Sequence, residues 1–296
     1  MIAFSLRGLN PRERMVFLFR LLARLPLSCA HRLGALAGWV VYLLSPTYRR
    51  HLRENVQQAG FAADVRRAAV AGAGRQALEL PAIWLHPLAE VTPRVVRVSG
   101  WEVVEAAWRE GKGIVFLTPH LGCFEITAQY YAAHAPITVL YRPPKFAALQ
   151  QLIETGRKRE KLHLAPADLS GVRSLIKALK RGEAVGLLPD QAPRVGEGVW
   201  LDYFGRPAYT MTLAARLTET GAATVFAWAE RLPGGAGYHL RLRAPLAALA
   251  GDTVHRAGQI NAEIEALVRE CPTQYLWGYN RYKRPRGAQP PGQESA

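Results

Sequence analysis

Cysteine is scarce in this 296-residue chain, with three in all, Cys29, Cys123 and Cys271. They are odd in number and far apart, which excludes a disulfide framework, and a reducing compartment is the expectation. No His/Cys set has ligand spacing and no glycine-rich phosphate loop is present, so no metal and no cofactor are expected. Acidic residues are also short: 23 Asp+Glu stand against 38 Lys+Arg, a formal charge of +15. That imbalance predicts an anionic partner, whether nucleic acid, anionic lipid or an acidic substrate. Internal repeats are missing, and the low-complexity tail 287–296 (GAQPPGQESA) is expected to be disordered. What the chain does have is apolar content, 49%, enough to bury a core and to exclude a fibrous or disordered protein.

The distribution of charge narrows the partner. Residues 1–53 carry nine arginines against Glu13 alone, a net +8, and Arg281, Lys283, Arg284 and Arg286 add +4, so the two ends hold 12 of the 15 excess charges. The N-terminal arginines are interleaved with the greasiest stretch, 15–44. Over 15–25 the only charges are Arg20 and Arg24, four apart and so on one helical face, which reads as an amphipathic helix lying in a membrane interface and ended by Pro26. The run 33–44 (LGALAGWVVYLL) is uncharged over 12 residues, short of the roughly 20 that span a bilayer; a buried helix or re-entrant segment is expected. Two core helices of a soluble protein are the plainer alternative. A signal peptide is disfavoured by the interrupting arginines and the missing cleavage site.

Further on, short apolar runs bounded by Gly, Pro or Asp read as strands buried on both faces, at 113–117, 137–141, 184–188 and 223–227. The alternating 238–242 reads as an edge strand. Helical periodicity falls at 124–133, 147–161, 172–181, 211–219 and 254–270. In the last of these Ile260, Ile264, Leu267 and Val268 form the apolar stripe and Glu263, Glu265 and Arg269 face away. The alternation predicts an α/β fold: a central, mostly parallel sheet flanked by helices, with a helical N-terminal layer (1–98, membrane-associating over about 15–44), a core over 99–286 and the tail. Sites in such folds gather at the carboxyl ends of strands.

After the first of these runs the chain reads Thr118-Pro119-His120-Leu121-Gly122-Cys123-Phe124-Glu125. A histidine just beyond a buried strand is placed as a general base. Glu125 lies five residues on, about 140° around a regular helix, so the two meet only if His120 sits in the loop and Glu125 in the first helical turn. A carboxylate on one ring nitrogen would fix the tautomer and free the other nitrogen to take a proton from a hydroxyl. Arg142, after another strand, is aimed into the same cleft as an anion or oxyanion ligand, or is an ordinary capping arginine. Asp190 and Gln191 lie beyond a third strand, to bind sugar hydroxyls, to orient Arg142, or to form a turn. The cluster Arg157-Lys158-Arg159-Lys161 is either a solvated helix end or a docking patch for an acidic carrier or lipid phosphate. Cys123 is expected to pack rather than to act as a nucleophile. Trp277, Tyr279 and Tyr282 beside Arg281, Lys283 and Arg284 suit a membrane interface better than nucleic acid.

His120-Leu121-Gly122-Cys123-Phe124-Glu125 resembles the H-x-G-x-aromatic-E signature of the lipid A biosynthesis acyltransferases (lauroyl and myristoyl transferases), within the wider H-x4-D/E acyltransferases. Matching blocks follow in order: Tyr141-Arg142-Pro143, Thr155-Gly156-Arg157, 174–182 (SLIKALKRG), Pro189-Asp190-Gln191 and Tyr203-Phe204-Gly205. The ending Pro272-Thr273-Gln274-Tyr275-Leu276-Trp277 then Asn280-Arg281-Tyr282-Lys283 completes the resemblance, which covers about residues 10–285. Cys123 and Phe124 stand where many members have Asn or Ser and Trp. The resemblance implies an enzyme on the cytoplasmic face of the inner membrane that moves a fatty acyl chain from acyl carrier protein to a hydroxyl of a lipid A precursor. It makes His120 the base and Glu125 its catalytic partner, while Arg142, Arg157, Asp190 and Gln191 are by their placement the candidate substrate-binding residues. The anionic membrane surface is then the partner, and no nucleic acid is expected. A glycerolipid or lysophospholipid acyltransferase, and a non-catalytic basic membrane- or nucleic-acid-binding protein, are the alternatives.

Overall fold

A computed structural model describes residues 10–142, 150, 154, 156, 157 and 159–292; most of the helix expected over 147–161 lies outside them. Five helices precede the sheet: α1 (Pro11–Ala23), α2 (Leu27–Leu44), α3 (Pro46–Gln58), α4 (Ala63–Leu85) and α5 (Leu88–Val91). Asn10 and Glu13 form a reciprocal capping box that starts α1, so the lone acidic residue of the N-terminal 53 caps a helix. The α2 helix lies against α4 at backbone contact. A Cβ on Gly74 would sit 1.9 Å from the carbonyl oxygen of Gly34, so this crossing admits glycine only.

The opposite face of α2 is bare. Leu33, Leu36, Val40, Val41, Leu43 and Leu44 are exposed, as are Phe17, Leu18 and Leu21 of α1. Of the described residues, α2 is the one helix long and apolar enough to cross a membrane. Its buried positions Ala30, His31, Gly34 and Gly38 fall on a single face, so it is neither a fully buried core helix nor free of the protein.

The rest alternates as expected: β1 (Val95–Ser99), α6 (Trp101–Glu110), β2 (Ile114–Leu117), α7 (Phe124–Ala132), β3 (Ile137–Tyr141), β4 (Leu162–Pro166), α8 (Leu169–Lys180) and β5 (Ala184–Leu187). There follow a hairpin of β6 (Gly198–Tyr203) and β7 (Arg206–Met211), α9 (Leu213–Thr218), β8 (Ala223–Arg231), β9 (Tyr238–Arg243) and α10 (Thr253–Glu270). The seven-stranded sheet has the order β1-β9-β8-β2-β5-β3-β4. Every pairing is parallel except β8 with β9. Side chains alternate across it: Val115 and Leu117 of β2 join one core with α8 and α10, while Ile114 and Phe116 join another with α6 and α7. The central α/β architecture is therefore the one the sequence predicts.

Three expectations are corrected. The β9 strand lies between β1 and β8, not at an edge; its alternating arginines pair with carboxylates, Arg241 with Glu230 and Arg243 with Glu263 and Glu270. Glu263 does not face away but is buried, held by Arg243 and the Leu246 amide. Trp277 and Arg281 are 2% and 3% exposed, so these two members of the aromatic-basic terminal block are core structure, whereas Lys283 and Arg284 are exposed. Arg281 donates to the Tyr209 carbonyl and the Thr210 hydroxyl and stacks on Tyr203, while its buried Nε has no hydrogen-bond partner among the described residues.

Candidate active site

His120 sits in the loop between β2 and α7, at the carboxyl ends of the parallel strands. That loop is sewn down on both sides. The Cys123 amide donates to the Ala229 carbonyl (2.7 Å), the Gly122 amide to Gln274 O (3.1 Å) and the Leu276 amide to His120 O (3.0 Å). Gly122 has φ +61°, and a Cβ there would lie 2.0 Å from Ala229 O; only glycine allows the loop to touch β8. The Pro-x-Gln-Tyr-x-Trp block thus serves the site by pinning the histidine loop, with Leu121 bridged to Tyr275.

The carboxylate on the His120 ring is Asp190, not Glu125. Asp190, 2% exposed, places Oδ1 2.7 Å from His120 Nδ1 and accepts the His120 backbone N–H at Oδ2, 2.8 Å. An ionised carboxylate only accepts, so the ring proton is on Nδ1 and Nε2 carries the lone pair. Gln191 donates its amide Nε2–H to that nitrogen at 3.1 Å. Burial pushes the Asp190 carboxyl up, but the His120 imidazole and its hydrogen bonds outweigh this and hold it below the usual aspartate range. The sequence reading placed Asp190 and Gln191 at the site but for sugar hydroxyls or Arg142; the fold gives both to His120.

Glu125, in the first turn of α7, faces elsewhere. Its Oε2 accepts from Trp84 Nε1 (3.0 Å) and Arg157 Nε (2.9 Å), and Oε1 accepts from Arg157 Nη2. Arg157 is sandwiched between the rings of Trp84 (5.3 Å) and Tyr141 (5.2 Å), a fixed, half-buried cation rather than a solvated helix end. Arg159 is likewise committed, to Gln129 and to three carbonyls at Ile83, Trp84 and His86. Lys158 lies outside the described residues. Cys123 is 1% exposed, and burial pushes its thiol well above the ordinary range, which removes the thiolate a nucleophile requires.

His120, Glu125, Arg142, Arg157 and Gln191 all line a cavity of about 280 Å³. Its walls below them are apolar: Phe116, Ile137, Val139, Leu162, Ala227 and Leu240 among others, with Gly186 of β5 leaving room at the centre. Arg142 is exposed at the rim. No group of three or more His, Cys, Asp or Glu side chains is placed to hold a metal among the described residues.

Fold and cavity together define an α/β protein with a largely apolar cavity beside an oriented histidine. The chain belongs to the family of bacterial lipid A biosynthesis acyltransferases, which it matches over residues 4–284. It is 26% identical to the lipid A biosynthesis lauroyltransferase of Escherichia coli over 96% of both chains. It is 25% identical to the palmitoleoyltransferase of the same organism over 72% of this chain and 70% of that one. A Haemophilus influenzae lipid A biosynthesis acyltransferase is 28% identical over 60% of this chain and 56% of its own.

Proposed function

We propose that this chain is an O-acyltransferase that moves a fatty acyl chain from an acyl-carrier-protein thioester to a hydroxyl of a lipid A precursor. The observation that carries the reading is His120, held in one tautomer by buried Asp190 at the mouth of an apolar cavity. His120 Nε2 takes the hydroxyl proton as the alkoxide oxygen attacks the thioester carbonyl. The tetrahedral intermediate collapses, the C–S bond breaks, and the imidazolium returns the proton to the leaving thiolate. An ester and a free carrier thiol result, with no covalent enzyme intermediate. The incoming hydroxyl takes the position in which Gln191 donates to Nε2.

Glu125 serves in this scheme through Arg157. The carboxylate, with the flanking rings of Trp84 and Tyr141, fixes the guanidinium at the cavity wall, where a cation stabilises the oxyanion or a substrate phosphate. Arg142 at the rim supplies a second positive charge. The acyl chain occupies the apolar walls. The exposed apolar faces of α1 and α2 and their arginines hold the enzyme at the cytoplasmic face of the inner membrane, beside its lipid acceptor.

The test is purified protein assayed with a panel of acyl-carrier-protein thioesters against a lipid A precursor and lysophospholipids. Transfer to the lipid A precursor is expected, and His120→Ala should lower turnover by roughly 10²–10⁴-fold. Transfer to lysophospholipids alone would overturn the acceptor assignment.

A further inference from the structure

A second cavity, of about 350 Å³, opens at the start of α2 and is lined by Ser28, His31, Arg32, Arg75, Arg231 and Gln274, with the β8–β9 turn 232–235. Its charge is one-sided. Arg231 is neutralised by buried Glu79, which also accepts from His31 Nε2 and Tyr238. Arg32 and Arg75 have no carboxylate partner among the described residues, and both are exposed. The first turn of α2 contributes backbone N–H groups with no side-chain cap, since Pro26 stands at the cap, and such a turn carries partial positive charge. Two guanidinium forks without a carboxylate partner, from separate elements, thus line one hollow beside the uncapped first turn of α2, a donor set suited to phosphate oxygens.

The size and setting say what carries the phosphate. Small-ligand sites run roughly 300–1,000 Å³, so this hollow has room for a phosphate with an organic group attached. Directly after Arg32 begins the exposed apolar face of α2, with Leu33 and Leu36, so a bound headgroup would have its hydrocarbon beside that face. We propose that this cavity binds a phosphate ester borne by a lipid. Its inner wall is shared with the histidine loop: the Arg231 guanidinium that lines it donates to the Gly122 carbonyl at 2.7 Å. The site is separate from the His120 cavity, and nothing in it depends on acyl transfer.

The experiment is calorimetric titration of the full chain in neutral detergent with dihexanoyl phosphatidic acid, inorganic phosphate and glucosamine 1-phosphate. Saturable binding of the phosphatidic acid is expected, weakened at least tenfold in the Arg32→Gln/Arg75→Gln variant. A charge-matched variant, Arg53→Gln/Arg67→Gln, at exposed positions outside the cavity, should bind within twofold of the unmodified chain. Equal loss in both variants, or no saturable binding, would overturn the site. Inorganic phosphate or the chain-free sugar phosphate binding as tightly as the lipid would overturn its assignment to a lipid. Because binding is read without turnover, an inactive enzyme that still binds would refute the acyltransfer reading alone.

Discussion

Asp190→Asn separates the two carboxylates that compete for the role of orienting His120. The change keeps shape and removes charge. Both oxygens of Asp190 accept, one from the ring Nδ1–H at 2.7 Å and one from the His120 amide at 2.8 Å. An asparagine offers one acceptor and one donor in their place. The backbone N–H cannot change, so the amide oxygen stays on it and the NH₂ faces Nδ1. That nitrogen must then carry the lone pair and Nε2 the proton, and the base is lost. The same tautomer inversion in a Ser-His-Asp triad costs roughly 10⁴-fold in turnover, and a fall of about 10³–10⁴ is expected here. The variant also forfeits one charge-assisted hydrogen bond, about 1.5–3 kcal/mol, which leaves a folded protein to assay. Turnover with an acyl-carrier-protein thioester and a lipid A precursor, followed by mass spectrometry across pH, is the measurement. Glu125→Gln, which loosens Arg157, should raise KM or lower turnover while leaving the pH profile of kcat in place. An Asp190→Asn enzyme within tenfold of the unmodified one, beside a Glu125→Gln enzyme with a displaced pH profile, would refute the assignment.

Gly122→Ala should cost about 1–3 kcal/mol and most of the activity, because its Cβ would meet Ala229 O at 2.0 Å in a backbone with φ +61°; urea unfolding and turnover measured together check it. Gly186→Ala puts a methyl into the cavity, 3.2 Å from Val139 and 3.5 Å from Ile137, and should shift donor preference toward shorter chains by roughly tenfold or more per methylene excluded, read from competing thioesters. Acid stability follows from Asp190 and Glu79, whose carboxyls are both held below their ordinary values against the push of burial. Depressed folded values contribute stability that is present above the unfolded values of about 4 and is lost as pH falls through the folded ones. The urea midpoint should therefore drop below about pH 4, and Glu79→Gln or Asp190→Asn should flatten that drop; unchanged pH dependence in both variants would contradict the shifts.

The sheet was legible where strands are buried on both faces, because β2, β3, β5 and the start of β8 are short, largely apolar runs bounded by turn residues, too short for helices. It was illegible where charge is buried. Alternating Arg241 and Arg243 on β9 look solvated until Glu230, Glu263 and Glu270 are brought across to them, and Arg281 looks interfacial until the Tyr203 ring and the β7 backbone enclose it. The site divides in the same way. His120 announces itself by following a strand, a local fact. Its carboxylate does not, since Glu125 is five residues away and Asp190 is seventy, and only the parallel pairing of β2 with β5 brings their ends together. The ordering Pro-Asp-Gln after β5 was the available signal: strand ends of neighbouring parallel strands meet, so a carboxylate after β5 is a candidate for a histidine after β2.

The same carboxyl edge also joins the helical N-terminal layer to the histidine loop. His31 of α2 meets Glu79 of α4, Glu79 meets Arg231 at the end of β8, and Arg231 meets the carbonyl of Gly122 beside His120. Glu79 is fully buried with three partners, and an ion pair of this kind stabilises little over an apolar replacement but costs about 3–5 kcal/mol to break from one side. Its value is therefore positional. It ties the backbone of the histidine loop to the helix whose other face is exposed and apolar; in the proposed reaction this holds His120 in register with the surface from which the lipid acceptor arrives.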